Sequence, residues 1–317
     1  MKKIICLIML FLLLCFSGCA SDSDNKSKSG QITIAQQFGL AYAPLQVMQE
    51  LKLLEKKAPD LTVSWVQLGN TAAIREGMLA GNVDVGFMAI PPFLIGWDKG
   101  MEWKIMSGLS SCPVGLVTKE ERIKSLSDFS SDDRIVLPQP GSVQHILLSM
   151  ACEKELGDAH KLDNILVTMN HADGMNAFIS QKEITAHFTS PPYLFKELEM
   201  AEMNQVIRGE EVLGSDFSFI VGASTKKYHD TEKETYLLFC QSLEEAIEFI
   251  NKHPEETAEL LEGVYGIPQK ELVKYLTWEG MEFTTQIKGI NEFAVFMQEN
   301  GFISRIPEKS GDVIWEE

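Results

Sequence analysis

From Ile32 onward, short apolar runs alternate with longer stretches in which apolar residues recur every three or four positions. The first pattern reads as strand and the second as helix. Ile32 to Ala35 is a short strand. Tyr42 to Lys57 carries Leu45, Met48, Leu51 and Leu54 on one stripe and reads as a helix. Leu61 to Val66 is a second strand, Thr71 to Ala80 a helix stopped by Gly81, and Val83 to Met88 a third strand. Pro91-Pro92 opens another helix, since proline is tolerated in a first turn, where its missing N–H is not needed. Trp103 to Ser107 is the fourth strand. The alternation then restarts. Arg134 to Leu137 is a strand, and the tight stretch Pro138 to Gly141 leads to Ser142, which caps a helix reaching Leu156. Ile165 to Val167, the helix Gly174 to Ile179, the strand Ile184 to His187, the helix Pro192 to Leu198 and the strand Gln205 to Arg208 complete the second round. The remainder is mostly helical: Thr231 to Asn251, Pro254 to Tyr265, Pro268 to Leu276 and Gly289 to Asn300.

Alternation of this kind builds an α/β fold, a parallel sheet with helices on both faces. Two apolar runs stand outside the rounds, Pro113 to Thr118 between them and Phe217 to Gly222 after the second. They read as crossover strands joining two α/β lobes, with a ligand cleft between the lobes. Residues 31–112 and 223–317 then form lobe one with the C-terminal helices, and 113–222 form lobe two with the crossovers. The alternative is one large sheet holding every strand, although open sheets of that size usually split.

The chain begins differently. Lys2 and Lys3 precede an apolar stretch from Ile4 to Phe16, which ends in Ser17-Gly18-Cys19. A charged start, an apolar middle and a small-residue cleavage site make a secretory signal over residues 1–18. The apolar stretch is short of the roughly 20 residues that span a bilayer. Cys after Ser-Gly resembles the bacterial lipoprotein signal, with Phe16 where that signal usually has Leu. The resemblance implies that Cys19 becomes the lipidated first residue, carrying acyl chains such as palmitate. The rival is a plain secretory signal cut nearby. Residues 19–30, polar and small, read as a flexible tether.

Composition adds boundaries. The 317 residues are 45% hydrophobic and 23% charged, as in an ordinary soluble globule. The formal charge is −17, and losing Lys2 and Lys3 makes it two units more negative. That balance argues against a nucleic-acid partner. Cys112, Cys152 and Cys240 remain beside Cys19, with no CxxC and no Cys/His spacing, so neither a metal nor a cofactor is expected. They read as small buried apolar residues.

In parallel sheets the working loops lie at the carboxyl ends of strands. Here those loops hold Gln36 to Tyr42, Leu68 to Thr71, Met88 to Pro91, Leu137 to His145 and Phe188 to Tyr193. Each runs into a helix, whose first turn offers free N–H groups to polar or anionic groups.

The segment Gly69 to Met88, above all Ala80-Gly81-Asn82-Val83-Asp84-Val85-Gly86, is similar to the solute-binding components of ABC importers of the nitrate/sulfonate/taurine and thiamine-precursor class. Leu126 to Phe129, Arg134 to Pro138 with Gly141-Ser142, His171 to Phe178, Ser190 to Tyr193, Gly280 to Phe283 and Asn300 to Ile303 match the same class in order. The resemblance covers nearly all of residues 31–310. It implies a periplasmic-binding-protein-like fold whose lobes close over a small solute. It also implies delivery to an ABC permease and, through it, a cytoplasmic ATPase. A lipid-anchored monomer on the outer face of the cytoplasmic membrane, or in the periplasm, is expected.

Within the loops, Phe38 and Tyr42 flank the first, where one could stack on a flat solute or both could be structural. Gly39 lies between them. Asn70 and Thr71 sit at a helix start, as caps, ligand contacts or both. Met88 and Ala89 end the third strand. Gly141, Ser142, Gln144 and His145 surround the tight turn before a helix. Thr189 and Ser190 end another strand, and His187 points either way. Arg75 reads as a surface ion pair or an anion clamp. The loops hold few cations, whereas Phe38, Tyr42, Phe87, Trp97, Tyr193 and Phe217 supply rings. This tilts the solute from sulfonate or nitrate toward an aromatic heterocycle such as a pyrimidine or flavin-like vitamin precursor. Two rivals remain: an enzyme on the same scaffold with Cys112 as nucleophile, which would need a nearby base, and a membrane-tethered sensor.

Overall fold

The computed structural model describes residues 30–316; the signal sequence, Cys19 and the tether up to Ser29 lie outside the described residues. Eleven strands are present among them: β1 (Gln31–Gln36), β2 (Thr62–Gln67), β3 (Val85–Met88), β4 (Trp103–Ser111), β5 (Gly115–Thr118), β6 (Ile135–Leu137), β7 (Leu166–Thr168), β8 (Ala186–Thr189), β9 (Asn204–Arg208), β10 (Ile220–Thr225) and β11 (Glu282–Phe283). They form two sheets, ordered β11-β4-β10-β3-β1-β2 and β7-β6-β8-β5-β9. The fold is therefore two α/β lobes, and the single-sheet alternative falls.

The sheets are mixed, not parallel as the alternation suggested. β1 runs parallel to β2 and β3, and β6 to β7 and β8. The strand following each crossing runs the other way. β5 is antiparallel to β8 and β9, and β10 to β3 and β4. Topology supplies the reason. The parallel strands end facing the other lobe. A chain arriving from that lobe enters at those ends, so its first strand must run backward. Hydrophobic patterning carries no such directional signal: β5 and the first five residues of β10 are wholly buried, like any central strand.

Most helices start and stop where punctuation residues sit. Asn70 accepts the Ala73 N–H at 3.0 Å and caps Thr71–Leu79. Ser142 accepts the His145 N–H at 3.3 Å and caps Val143–Leu156, which Gly157 ends in a left-handed turn. The long stripe from Tyr42 breaks in two at Lys52, which is left-handed with φ 51°, leaving Ala43–Glu50 and Leu53–Lys57. The helix expected from Thr231 to Asn251 is present as Lys233–Lys252, and a short helix that the pattern did not show, Lys226–Thr231, precedes it.

One apolar core runs through both lobes, from Ile34, Val85 and Phe87 to Leu116, Ile135 and Phe188. A smaller one, around Val117, Val136 and Phe178, belongs to the second sheet alone. Two flanks also join the lobes. On one, Phe195 stacks on Trp278 with ring centres 4.3 Å apart. On the other, Phe302 meets the rings of His145 and His160 at 5.5 and 5.1 Å. Among the described residues no helix is long and apolar enough to cross a membrane.

Candidate functional site

The carboxyl ends of the parallel strands from the two sheets face each other across a narrow cleft of ≈ 60 Å³. A single water needs roughly 10–15 Å³ on this measure, so the lobes stand close together. Lobe one supplies Gln37, Phe38, Gly39 and Tyr42 after β1, Asn70 and Thr71 after β2, and Ala89 after β3. Lobe two supplies Gln139, Ser142 and Gln144 after β6, Asn170 and His171 after β7, and Ser190 after β8. Phe219 and Ile220, at the return crossing, close the back. The sequence-expected residues Phe38, Gly39, Tyr42, Asn70, Thr71, Ala89, Ser142, Gln144 and Ser190 thus share one lining.

Their side chains are organised by hydrogen bonds. The Gln37 Nε2 amide donates to the Tyr42 hydroxyl at 3.1 Å and to Thr71 Oγ1 at 3.2 Å. This ties the loops after β1 and β2 into one wall. Burial holds the Tyr42 phenol well above the usual tyrosine range, so it stays an O–H. Phe38 is 52% exposed, a ring presented at the mouth and not spent on the core. Beside it the lobes touch directly, the Leu40 N–H donating to Pro191 O at 3.1 Å. Gly39 makes that approach possible: its φ is 128°, and a Cβ there would come within 3.2 Å of Pro191 O.

His171 is the centre of the opposite wall. Its Nδ1 lies 2.9 Å from Thr189 Oγ1, and its Nε2 lies 3.3 Å from Gln144 Nε2 and 3.4 Å from Ser190 Oγ. The ring stacks on Tyr193, centres 5.8 Å apart and 19° from parallel. Thr189 itself is fully buried and meets the cleft only through this histidine. Burial pushes the His171 pKa down to about 3, with His187 adding to the shift. Behind it, His187 Nδ1 and Glu197 Oε1 are 2.6 Å apart, both side chains fully buried. Burial drives the carboxyl up to about 9 and the imidazole down to about 3. The pair therefore holds a single proton and no net charge across the ordinary pH range.

Other expected residues lie elsewhere. Met88 is fully buried at the end of β3. The Gly141 N–H donates to His145 Nδ1 at 3.0 Å, and His145 Nε2 meets Asp163 Oδ1 at 3.1 Å, so both residues serve the turn behind the lining. His187 points inward. Arg75 is half-buried, makes no ion pair among the described residues and is absent from the lining. Cys112 is 8% exposed and lines a separate pocket at the crossings, with Pro113 and Trp278. Burial, with Glu210 adding, keeps its thiol well above the normal range, the reverse of an activated nucleophile. Cys112 and Cys152 are free thiols.

Sequence reasoning did not single out Gln37, Gln139, Asn170, His171 or Phe219, although Gln37 and Gln139 lie within two of the loops expected to face a ligand. The signal for His171 was present: Asn170 accepts the Asp173 N–H at 3.0 Å, so the helix starts at His171 rather than at Gly174. Among the described residues no Lys, Arg, Asp or Glu lines the cleft, and no cluster of His, Cys, Asp and Glu is placed to hold a metal ion.

No protein-family model matches the chain, and no curated protein sequence does. Solved structures do. The alkanesulfonate-binding protein SsuA from Xanthomonas axonopodis pv. citri, bound to MOPS, superposes with a TM-score of 0.76 at 16% identity, over 91% of this chain and 99% of that one. A ligand-binding component of an ABC-type import system from Staphylococcus aureus, with zinc bound, gives 0.71 at 18% identity, over 90% and 96%. A conserved Candida albicans gene product, described as having the generic periplasmic binding protein structural fold, gives 0.69 at 15% identity, over 90% and 96%. The chain has that fold, as the order of its sequence motifs led us to expect.

Proposed function

We propose that the protein is an extracytoplasmic solute-binding lipoprotein of an ABC importer. It captures a small organic solute between its lobes and hands it to a membrane permease. One observation carries the reading: loops from two sheets, joined among the described residues by two crossings, converge on a single cleft whose lining holds no charged side chain and which has a ring at its mouth. Two bodies with so few covalent links can hinge, and a solute touching both stabilises the closed form. The solved neighbours named for alkanesulfonate binding and ABC-type import support it.

The test is solute binding with closure. Purified protein is screened by thermal shift against sulfonates, nitrate, pyrimidines and flavins, and hits are followed by small-angle scattering. A true solute at 100 times its dissociation constant adds about 2.7 kcal/mol of stability. It also shrinks or narrows the distribution of interlobe distances. Scattering that is unchanged by a compound that binds would remove the hinged mechanism. Lipid anchoring at Cys19 has its own check: Cys19→Ser should move the protein from the membrane pellet to the soluble extracytoplasmic fraction. The variant staying with the membrane would rule out Cys19 as the anchor.

The enzyme reading loses its geometry, because Cys112 sits outside the cleft with its thiol buried and protonated. A tethered sensor would use the same cleft. It differs in that deleting the protein would leave solute uptake intact.

A further inference from the structure

We propose that His171 sets the specificity of the cleft, accepting a hydrogen bond at Nε2 from an uncharged solute and turning anions away; this rests on the cleft being the solute site. The hydrogen-bond inventory gives the first step. Gln144 presents its amide nitrogen, a donor, to His171 Nε2 at 3.3 Å. Nε2 is then the acceptor, and the ring proton sits on Nδ1, facing Thr189 Oγ1 at 2.9 Å. A donor on the solute can take the place that Gln144 or Ser190 now fills.

The groups behind the ring oppose a second proton. His187 lies 6.0 Å away and shares one proton with Glu197, so no carboxylate charge is available to hold an imidazolium. Tyr193 stacks on the ring as a neutral phenol. Asp173, on the same helix, is exposed and turned to its own cap, where Asn170 Nδ2 donates to its Oδ2 at 2.6 Å.

The cleft also lacks the means to hold an anion. No lysine or arginine among the described residues lines it. The helix ends that face it are partly spent: Asn70, Ser142 and Asn170 each occupy one first-turn N–H with their own side chain. The helix Ile90–Asp98 opens through Pro91 and Pro92, which have no N–H to offer. An anion would shed its hydration there with little in return.

The test uses the full-length protein in detergent and matched pairs differing in charge: nicotinamide and nicotinate, benzenesulfonamide and benzenesulfonate, uracil and orotate. Affinities are read by calorimetry at pH 7.5 and pH 5.5 for the wild type, His171→Ala and His171→Gln. We expect at least one neutral member to bind at least tenfold more tightly than its anionic twin at pH 7.5. That affinity should fall at least tenfold in His171→Ala and recover partly in His171→Gln, which keeps an acceptor. Any anion that binds must bring a proton onto His171, so its affinity should rise by up to about tenfold per pH unit on acidification. A neutral solute should bind equally at both pH values. Tighter binding of the anionic twin at pH 7.5 overturns the inference and leaves solute capture standing. So does neutral binding that His171→Ala does not change. Silence from every compound in both charge classes counts against the cleft as a solute site and takes the inference with it.

Discussion

Thermal unfolding should show greatest stability near pH 6.5, with losses on both sides, and Glu197→Gln should flatten the alkaline side while steepening the acid side between roughly pH 4.3 and 6.5, where the His187 slope is no longer cancelled. The cause is the one-proton pair of His187 and Glu197. The Glu197 pKa is raised on folding to about 9, so its share of stability is complete below the unfolded carboxyl value and fades as pH climbs toward 9. The His187 pKa is lowered to about 3, so its share is complete above the unfolded imidazole value and fades as pH falls toward 3. Between the two unfolded values, roughly 4.3 and 6.5, the slopes cancel, because the pair carries one proton in either state. Above pH 6.5 the unfolded pair binds none while the native pair keeps one. Stability then falls by up to about 1.4 kcal/mol per pH unit. His171, also lowered to about 3, tilts the acid side from pH 6.5 downward. Glutamine cannot ionise, so Glu197→Gln removes the alkaline loss and keeps a hydrogen-bond partner for His187. Parallel stability curves for the two proteins from pH 6.5 to 9 would show that no proton is held there. Glu197→Ala is the harsher change. It leaves His187 Nδ1 buried without a partner as well as a void, and should cost roughly 2–4 kcal/mol at every pH.

The same pair shows where sequence reading stops. His187 was readable as the end of a strand, and Tyr193 to Leu198 as part of a helix. Nothing local says that Glu197, one residue in a Lys-Glu-Leu-Glu run, turns into the interior while its neighbour Glu199 reaches Lys274 and Tyr275 outside. That choice is made by the packing of the helix on the second sheet. By contrast, the carboxyl-end loops were legible because strand and helix periods differ and because Asn70 and Ser142 announce helix starts. Hence nine of the cleft residues could be named from spacing, and the lobes from two displaced apolar runs. Met88, Gly141 and His145 show the limit of that logic. A residue at the right point along a loop can face the core or brace the turn, and one-dimensional spacing does not record the direction of a side chain. β11, two residues long, carries too little pattern to be seen at all.

Phe195→Ala should be the most damaging single truncation on the flank where lobe two meets the C-terminal helices, at about 3–5 kcal/mol. Phe195 is fully buried, stacked 14° from parallel on Trp278, with Tyr275 at 5.4 Å. Around it Lys274 pairs with Glu199, and the Tyr275 hydroxyl donates to Glu199 Oε2 at 2.9 Å. That ion pair is half-exposed and contributes little by itself; the ring carries the contact. Because Phe195 belongs to the helix after β8, and Trp278 to the segment leading to β11 in the other sheet, the truncation loosens one lobe against the other as well as the local core. Two readouts separate these effects. Chemical denaturation followed by circular dichroism gives the stability loss, while scattering on the still-folded variant reports the spread of lobe separations. Both should change, and the spread should widen before unfolding begins. A Lys274→Ala change, which removes only the exposed charge, should shift stability by under about 1 kcal/mol and leave the scattering as it was. If Phe195→Ala lowers stability but leaves lobe separation untouched, the stack is an ordinary piece of core. The restraint on lobe motion would then have to come from the Leu40–Pro191 contact at the cleft mouth and from Phe302 on the far flank.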